Sequence, residues 1–279
     1  MSAAPVSLLF VPGHRERMVA KAPVAEVDAV VFDLEDSVPP AEKDAARERV
    51  RAALADWPDD APRPYVRVNP PRERVAEADA AVLVDLPGIG VVVPKIDRAI
   101  ELDVLAAPLA LEGRDVIVTI ETPRSFFHLE EIADHWLVGG LCLGGEDLAF
   151  ALGMARTPTA EEFTIPRFML VAAARAGGIA AYDAICPEFR DLDILREDAR
   201  RGAAAGMDGK FAIHPAQGPV IREAFRPSDE ELERARRIVA EYDAAVARGE
   251  GAVAVDGQMI DPPVAERFRA ILRRWEPAG

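Results

Sequence analysis

A chain of 279 residues, 50% hydrophobic and 29% charged, is long enough for one large α/β barrel or two smaller domains around a substantial core. Its formal net charge of −15 argues against a nucleic-acid or anionic-membrane surface as partner, although local positive potential can still hold an anionic ligand. The two cysteines, Cys142 and Cys186, sit in apolar runs without C-x-x-C spacing and read as buried thiols of a reducing compartment. With no signal-peptide pattern and no apolar run near ~18 residues, the expectation is a cytoplasmic enzyme without a membrane span.

Eight apolar, β-branched runs follow one another: Leu8–Val11, Ala29–Leu34, Tyr65–Val68, Val91–Pro94, Val116–Ile120, Leu141–Leu143, Ile179–Ile185 and Lys210–Ile213. Charged stretches with helical period, such as Ala41–Ala55 and Asp191–Ala205, lie between most of them. Eight strands alternating with helices within roughly 250 residues predict a TIM (β/α)8 barrel. The rival doubly wound sheet needs a glycine fingerprint after its first strand, and Val11-Pro12-Gly13-His14 lacks G-x-G-x-x-G.

Polar residues cluster at the predicted strand exits: Asp33, Glu35 and Asp36 after the second, Arg67 and Asn69 at the third, Lys95 after the fourth, and Glu121 after the fifth. Glu146 and Asp147 follow the sixth, Asp183 ends the seventh, and His214-Pro215 follows the eighth. In a barrel these exits converge on the face where active sites are built. Glu121 and Asp147 end consecutive apolar runs, and adjacent strand exits lie roughly 4.8 Å apart. Two hard oxygen ligands at that spacing suit Mg²⁺. Structural roles compete at each position. Asp36 and Ser37 suit the cap of the helix after Pro39-Pro40. Arg67 suits an ion pair with a neighbouring acid, and Lys95 suits neutralising the acidic ring. Asp183 suits a helix cap or a partner for Lys95, and His214 before Pro215 suits shaping a strand exit.

The barrel is expected to occupy residues 1–226, leaving 227–279 as a C-terminal extension. Pro227-Ser228-Asp229-Glu230-Glu231 reads as an N-cap with an acidic first turn, opening a helix to about Ala247. After the break at Gly249 to Gly251, Asp256-Gly257 between two short apolar runs signals a hairpin. Asp261 then precedes Pro262-Pro263 and a last helix, where it reads as an N-cap. An appendage that a barrel does not need suggests an oligomerisation element or a lid.

The ordered set SLLFVPG, FDLEDSVPPAEKDAAR, VRVN, VPK, IET, GGEDLA, GMDGKFAIHP and DGQMIDPP, from Ser7 to about Leu272, resembles the citrate lyase β-subunit-like proteins of the malyl-CoA lyase (HpcH/HpaI aldolase) superfamily. The resemblance implies a TIM barrel in a homotrimer or hexamer that uses Mg²⁺. The implied reaction cleaves or forms a carbon–carbon bond in a 3-hydroxyacyl-CoA thioester such as malyl-, citramalyl- or citryl-CoA, releasing or using a small 2-keto acid. It further implies Glu121 and Asp147 as metal ligands, Arg67 as the grip on the carboxylate of the keto or hydroxy acid, and Glu35 and Asp36 as holders of metal-bound water. Asp261 would be a catalytic aspartate laid over a neighbouring subunit's site. Ile213, His214 and Pro215 would lie near the thioester, and Lys21 near the CoA phosphates. Val6-Ser7 stands where the family has Arg-Ser, and Met207 where it has Phe, so the CoA contacts follow less directly than the metal site. Two other functions stay open from sequence: a Mg²⁺-dependent pyruvate-type aldolase working without CoA, and a non-catalytic acyl-CoA-binding subunit. The second would be expected to lose Glu121, Asp147 or Asp261, and all three are present.

Overall fold

A computed structural model describes residues 4–73 and 76–276. These fall into two compact units, residues 4–225 and residues 226–276. The first is a closed barrel of eight parallel strands: β1 (Ser7–Pro12), β2 (Ala29–Asp33), β3 (Arg63–Arg67), β4 (Gly90–Val93), β5 (Val116–Ile120), β6 (Val138–Leu143), β7 (Ala180–Asp183) and β8 (Gly209–Ala212). Each strand pairs with its sequence neighbours, and β1 closes the ring against β8. The helices between the strands include Lys43–Ala55, Gly145–Leu152, Thr164–Ala176 and Leu192–Ala204. Every residue of β2 and β5 is buried, as expected of strands covered on both faces.

One cluster takes a side chain from every strand: Leu8, Val31, Tyr65, Val92, Ile117, Cys142, Tyr182 and Phe211, with Ala29. It is the packed lumen of the barrel. Because strand side chains alternate with period two, it fixes which exit residues can face the same axis. Stepping by two from the lumen residues reaches Phe10, Asp33, Arg67 and, two steps on, Glu121. Asp183 is out of phase, one position beyond Tyr182, and faces the helical layer.

There Asp183 corrects both sequence expectations for it, since it neither caps a helix nor pairs with Lys95. Its carboxylate takes the Nε and Nη2 hydrogens of Arg167 at 2.9 and 2.8 Å, and Lys210 Nζ at 2.9 Å. Asp198 completes the group, with Lys210 Nζ at 2.8 Å and a further bond from Arg167. All four side chains are buried. Burial opposes the charge on Asp183, yet Lys210 and Arg167 hold its carboxyl below the usual range. Burial likewise opposes the charge on Lys210, and Asp183 and Asp198 overcome it, leaving the ammonium raised. Two cations and two anions therefore balance between sheet and helices.

The second unit holds the helix Asp229–Ala247, the hairpin strands β9 (Val253–Val255) and β10 (Gln258–Ile260), and the helix Pro262–Trp275. The first helix opens with a capping box between Ser228 and Glu231. The hairpin turns at Asp256 and Gly257, with φ of 51° and 74°. Positive φ at both central residues is what the tight, primed turn of an Asp-Gly hairpin requires. Ala235, Ile238, Tyr242, Val255, Ile260, Ala265 and Phe268 form this unit's own core. No described helix is long and apolar enough to cross a membrane.

Lys210→Met should leave two buried carboxylates against one guanidinium and lower stability by ~3–5 kcal/mol, read as a shift in the urea midpoint. Adding Asp183→Asn rebalances the charge and should recover part of that loss. A single-variant cost under ~1 kcal/mol would show that the network contributes little.

Candidate active site at the barrel mouth

Asp33 and Arg67 occupy paired positions on β2 and β3. Their side chains meet as a two-point fork, Arg67 Nε to Asp33 Oδ1 and Nη2 to Oδ2, both at 2.7 Å. Asp33 is 1% exposed and also accepts the backbone N–H groups of Glu35 and Ser37, at 2.9 and 3.2 Å. Burial opposes its charge, but Arg67 and these donors prevail and hold the carboxyl low. Below the guanidinium lies the Phe10 ring, its centroid 4.5 Å away, a favourable cation–π stack. Arg67 is thus anchored by protein on one edge and one face. The carboxylate grip expected of it falls to the edge that remains, and Nη1 there already lies 3.1 Å from Glu35 Oε2.

Glu35 turns into the mouth between two cations. Lys95 Nζ is 2.6 Å from its Oε1, so each Glu35 oxygen sits against one cation. Burial pushes this carboxyl up against the pull of Arg67 and Lys95. Asp36 does not cap the following helix. It takes Lys95 Nζ at 3.0 Å on each oxygen, while a short 3-10 turn, Pro40–Glu42, leads into Lys43–Ala55. The segment between is held from beneath by Lys43, whose Nζ donates to the carbonyls of Leu34 and Glu35 at 2.9 and 3.2 Å.

Glu121 follows β5 directly and is 3% exposed. Its Oε1 accepts the Lys95 backbone N–H at 2.8 Å. Lys95 reaches that position with φ of 56°, a left-handed conformation costly for a residue with a Cβ. The same residue so serves Glu121 through its backbone and Glu35 through its ammonium. Opposite, a Cβ at Gly144 would stand 2.4 Å from the Glu121 Cβ and 2.5 Å from Oε2. The glycine makes the room that Glu121 fills. Burial first, then the charges of Glu35 and Asp147, push the Glu121 carboxyl up to about 8.

Asp147 does not end a strand. It lies four positions past β6, half-buried in the first turn of the helix Gly145–Leu152. The simple picture of two adjacent strand exits is therefore replaced by one strand exit and one helix N-terminus, with Asp147 close enough for its charge to act on Glu121. Glu146 is exposed and paired with Arg156 at 3.0 Å. Among the described residues no three His, Cys, Asp or Glu side chains make a metal-holding set.

Ile213, His214 and Pro215 follow β8 and are exposed. The His214 ring stacks on Phe189, with centroids 5.7 Å apart at 23°. Lys21 ends the short helix Glu16–Lys21, also exposed. Asp261 belongs to the second unit, where its Oδ1 accepts the Val264 N–H at 3.2 Å as the N-cap of the last helix. Reading by residue type left Asp33, Phe10 and Gly144 without roles. Strand phase would have placed the first two, since each stands two positions beyond a lumen residue; Gly144 carries no such signal, because its role is to be absent.

Residues 6–215 match the sequence profile described as HpcH/HpaI aldolase/citrate lyase. The chain is 36% identical over 290 residues to the citrate lyase subunit beta-like protein of Deinococcus radiodurans, covering 98% of this chain and 99% of that one. It is 32% identical over 255 residues to the (3S)-malyl-CoA thioesterase of Cereibacter sphaeroides, covering 91% and 89%. A crystal structure of the CitE protein of Mycobacterium tuberculosis, in complex with magnesium, acetoacetate and coenzyme A, superposes with a TM-score of 0.83 at 36% identity over 98% of both chains. The chain is an enzyme-family barrel of this kind and belongs to the HpcH/HpaI aldolase/citrate lyase family.

Proposed function

We propose that the barrel mouth is the active site of a Mg²⁺-dependent carbon–carbon lyase acting on a 3-hydroxyacyl-CoA thioester such as malyl-, citramalyl- or citryl-CoA. The products are an acyl-CoA and a small 2-keto acid, and condensation is the reverse. The observation that carries this reading is Glu121, a buried carboxylate pushed up to about 8 beside Glu35 and Asp147. Among the described residues, Asp33, Glu35 and Asp36 share two cations, Arg67 and Lys95, while Glu121 and Asp147 have none within ion-pair distance. That deficit fits Mg²⁺, which takes one or two carboxylates and keeps its remaining positions for water and substrate. Glu121 and Asp147 would hold the ion, with Glu35 and Asp36 on its water. Bound there, Mg²⁺ supplies Lewis acidity that polarises a carbonyl oxygen.

The chain's own residues do the rest. Arg67, fixed by Asp33 and Phe10, presents its outer edge to the carboxylate of the keto or hydroxy acid. Lys21, Ile213, His214 and Pro215 would border the CoA ester. Asp261 would exchange the proton at the thioester α-carbon, reaching the mouth of a neighbouring subunit in a homotrimer or hexamer, and the enzyme would work in the cytoplasm. The magnesium, acetoacetate and coenzyme A of the M. tuberculosis protein support the ligand classes, and the thioesterase relative makes thioester hydrolysis a companion activity to assay. The deciding experiment incubates purified protein and Mg²⁺ with each hydroxyacyl-CoA, following keto acid, acyl-CoA and free CoA separately. Keto acid without any thioester requirement would favour the CoA-independent aldolase.

Glu121→Gln and Asp147→Asn should each abolish Mg²⁺-dependent turnover and the Mg²⁺-induced rise in Tm while leaving the circular dichroism unchanged. Glu121 titrates near 8 in the folded chain against an ordinary value of 4.5. The folded state therefore binds the extra proton between those values, and the stability it contributes is present below about 4.5 and lost as pH rises through about 8. In chelator-treated protein, stability should fall with pH across that window, by at most ~1.4 kcal/mol per unit, more steeply in wild type than in Glu121→Gln. Equal slopes in urea titrations at pH 5.5 to 7.5 would remove Glu121 as the titrating group.

Arg67→Lys keeps the charge but not the planar fork. It should weaken keto-acid binding at least tenfold more than acyl-CoA binding in calorimetry; parallel losses would remove Arg67 from the carboxylate.

Mixing tests the shared site. Asp261→Asn subunits keep the metal residues, and Glu121→Gln subunits keep the aspartate. Each parent should be nearly inactive, and the re-assembled mixture should regain a measurable fraction of the wild-type rate. Verified subunit exchange without recovery would mean that Asp261 does not complete a neighbour's site.

A further inference from the structure

Gln217, the first residue of the helix Gln217–Phe225, is fully buried although its side chain is an amide. All of its polar capacity goes to the backbone of two different loops. Its Oε1 accepts the N–H groups of Ile213 and His214 at 2.8 and 3.2 Å. Its Nε2 donates to the carbonyls of Cys186 and Glu188 at 3.1 and 3.2 Å. Two N–H donors on one side and two carbonyl acceptors on the other allow only one orientation of the amide. The loop after β8 and the loop after β7 are thereby joined through a single side chain.

What is joined faces the mouth. Phe189, 43% exposed, supports the His214 ring, and the Arg190 guanidinium lies 5.6 Å from the Phe189 centroid. The backbone N–H of Ala216 donates to His214 Nδ1 at 3.2 Å. An N–H can only donate, so Nδ1 accepts and the neutral ring carries its proton on Nε2. The β7 loop has a second anchor, since Lys210 Nζ also donates to the Ala184 carbonyl. A loop pair tied this firmly, and ending in an aromatic stack with a fixed N–H, is arranged to hold something in one place.

We propose that Gln217 is a positioning residue for the thioester: it locks the two loops together so that Ile213 and His214 stand in one arrangement, with His214 Nε2–H toward the acyl-CoA. The proposal rests on the lyase reading above and concerns binding of the ester, not the chemistry at the metal. Gln217→Glu keeps an acceptor for the two N–H groups but sets lone pairs against two carbonyls. Gln217→Leu removes both halves of the clamp.

The test uses the full-length enzyme with Mg²⁺ and the acyl-CoA that wild type turns over, with coenzyme A itself as a binding probe. Both variants should raise KM for the thioester and Kd for coenzyme A about tenfold or more. Their kcat should stay within about threefold of wild type, and keto-acid affinity should not change. Histidine-ring ¹⁵N spectra, with the His214 signal assigned by His214→Asn, should show the Nε2–H form in wild type and a mixture of tautomers in Gln217→Leu. If the leucine variant does not fold, Gln217→Glu carries the kinetic and binding readouts alone. A lowered Tm with unchanged KM and Kd would make Gln217 a purely structural residue and overturn the proposal. So would kcat and keto-acid affinity falling together with thioester binding. Wild type that neither binds coenzyme A nor turns over any thioester would instead overturn the lyase reading itself.

Discussion

The contact between Asp33 and Arg67 sets the electrostatics of the whole mouth. The two stand side by side on neighbouring strands, both largely buried, and their fork uses the strongest geometry open to an arginine and a carboxylate. Without Arg67, Asp33 would be a buried anion whose only support came from two backbone N–H groups. Without Asp33, the guanidinium would be free to swing between Glu35 and Glu121, whose charges also act on it. With the pair in place, Arg67 is held on one edge by Asp33 and on one face by Phe10. The substrate carboxylate proposed for Arg67 would then meet a cation whose position is already determined, with little ordering left to be done on binding.

Around that anchor the mouth carries features that weaken a fold. Lys95 holds a left-handed backbone, Glu35 is a buried carboxylate with Asp36 beside it, and Glu121 is buried with the charges of Glu35 and Asp147 acting on it. Each costs free energy in the ligand-free chain. The acids among them share one direction, since Glu35 and Asp147 act on Glu121 with like charge. The buried network of Asp183, Asp198, Arg167 and Lys210 makes the contrast, because there two anions meet two cations. Charges of both kinds are buried in this barrel, balanced in this network and with acid in excess at the mouth.

The strands were legible in the sequence because eight apolar runs of the right length are hard to read any other way, and Asp256-Gly257 gave the hairpin through local backbone chemistry. Site residues were legible only as far as strand phase was followed. Glu121 and Arg67 lie in phase with the lumen residues Ile117 and Tyr65. Asp183 lies one position out of phase, and residue type alone placed it in the mouth when it points to the helices. Asp147 needed the knowledge that β6 stops at Leu143 and that a helix starts at Gly145. The apolar run ends at Leu143 as β6 does; what it does not show is that the acids after it open a helix. Gln217 was invisible because a glutamine beyond the end of a strand carries no local signal; its role exists only where two loops distant in sequence meet.

For Asp261 the structural role observed and the chemical one proposed need not exclude each other. It caps its helix, as the sequence Asp-Pro-Pro suggests. An ordinary N-cap carboxylate draws donors from the N2 and N3 positions of the helix. Here N1 and N2 are Pro262 and Pro263, which have no N–H to give, so Val264 N–H is the cap's donor, at 3.2 Å to a single oxygen. The prolines therefore hold the chain in helical geometry while withholding a donor that would otherwise occupy the carboxylate. An aspartate followed by two residues that keep their N–H groups would cap more completely. The same three residues thus start the last helix and leave the acid with lone pairs to use, as the proton transfer proposed for it would require.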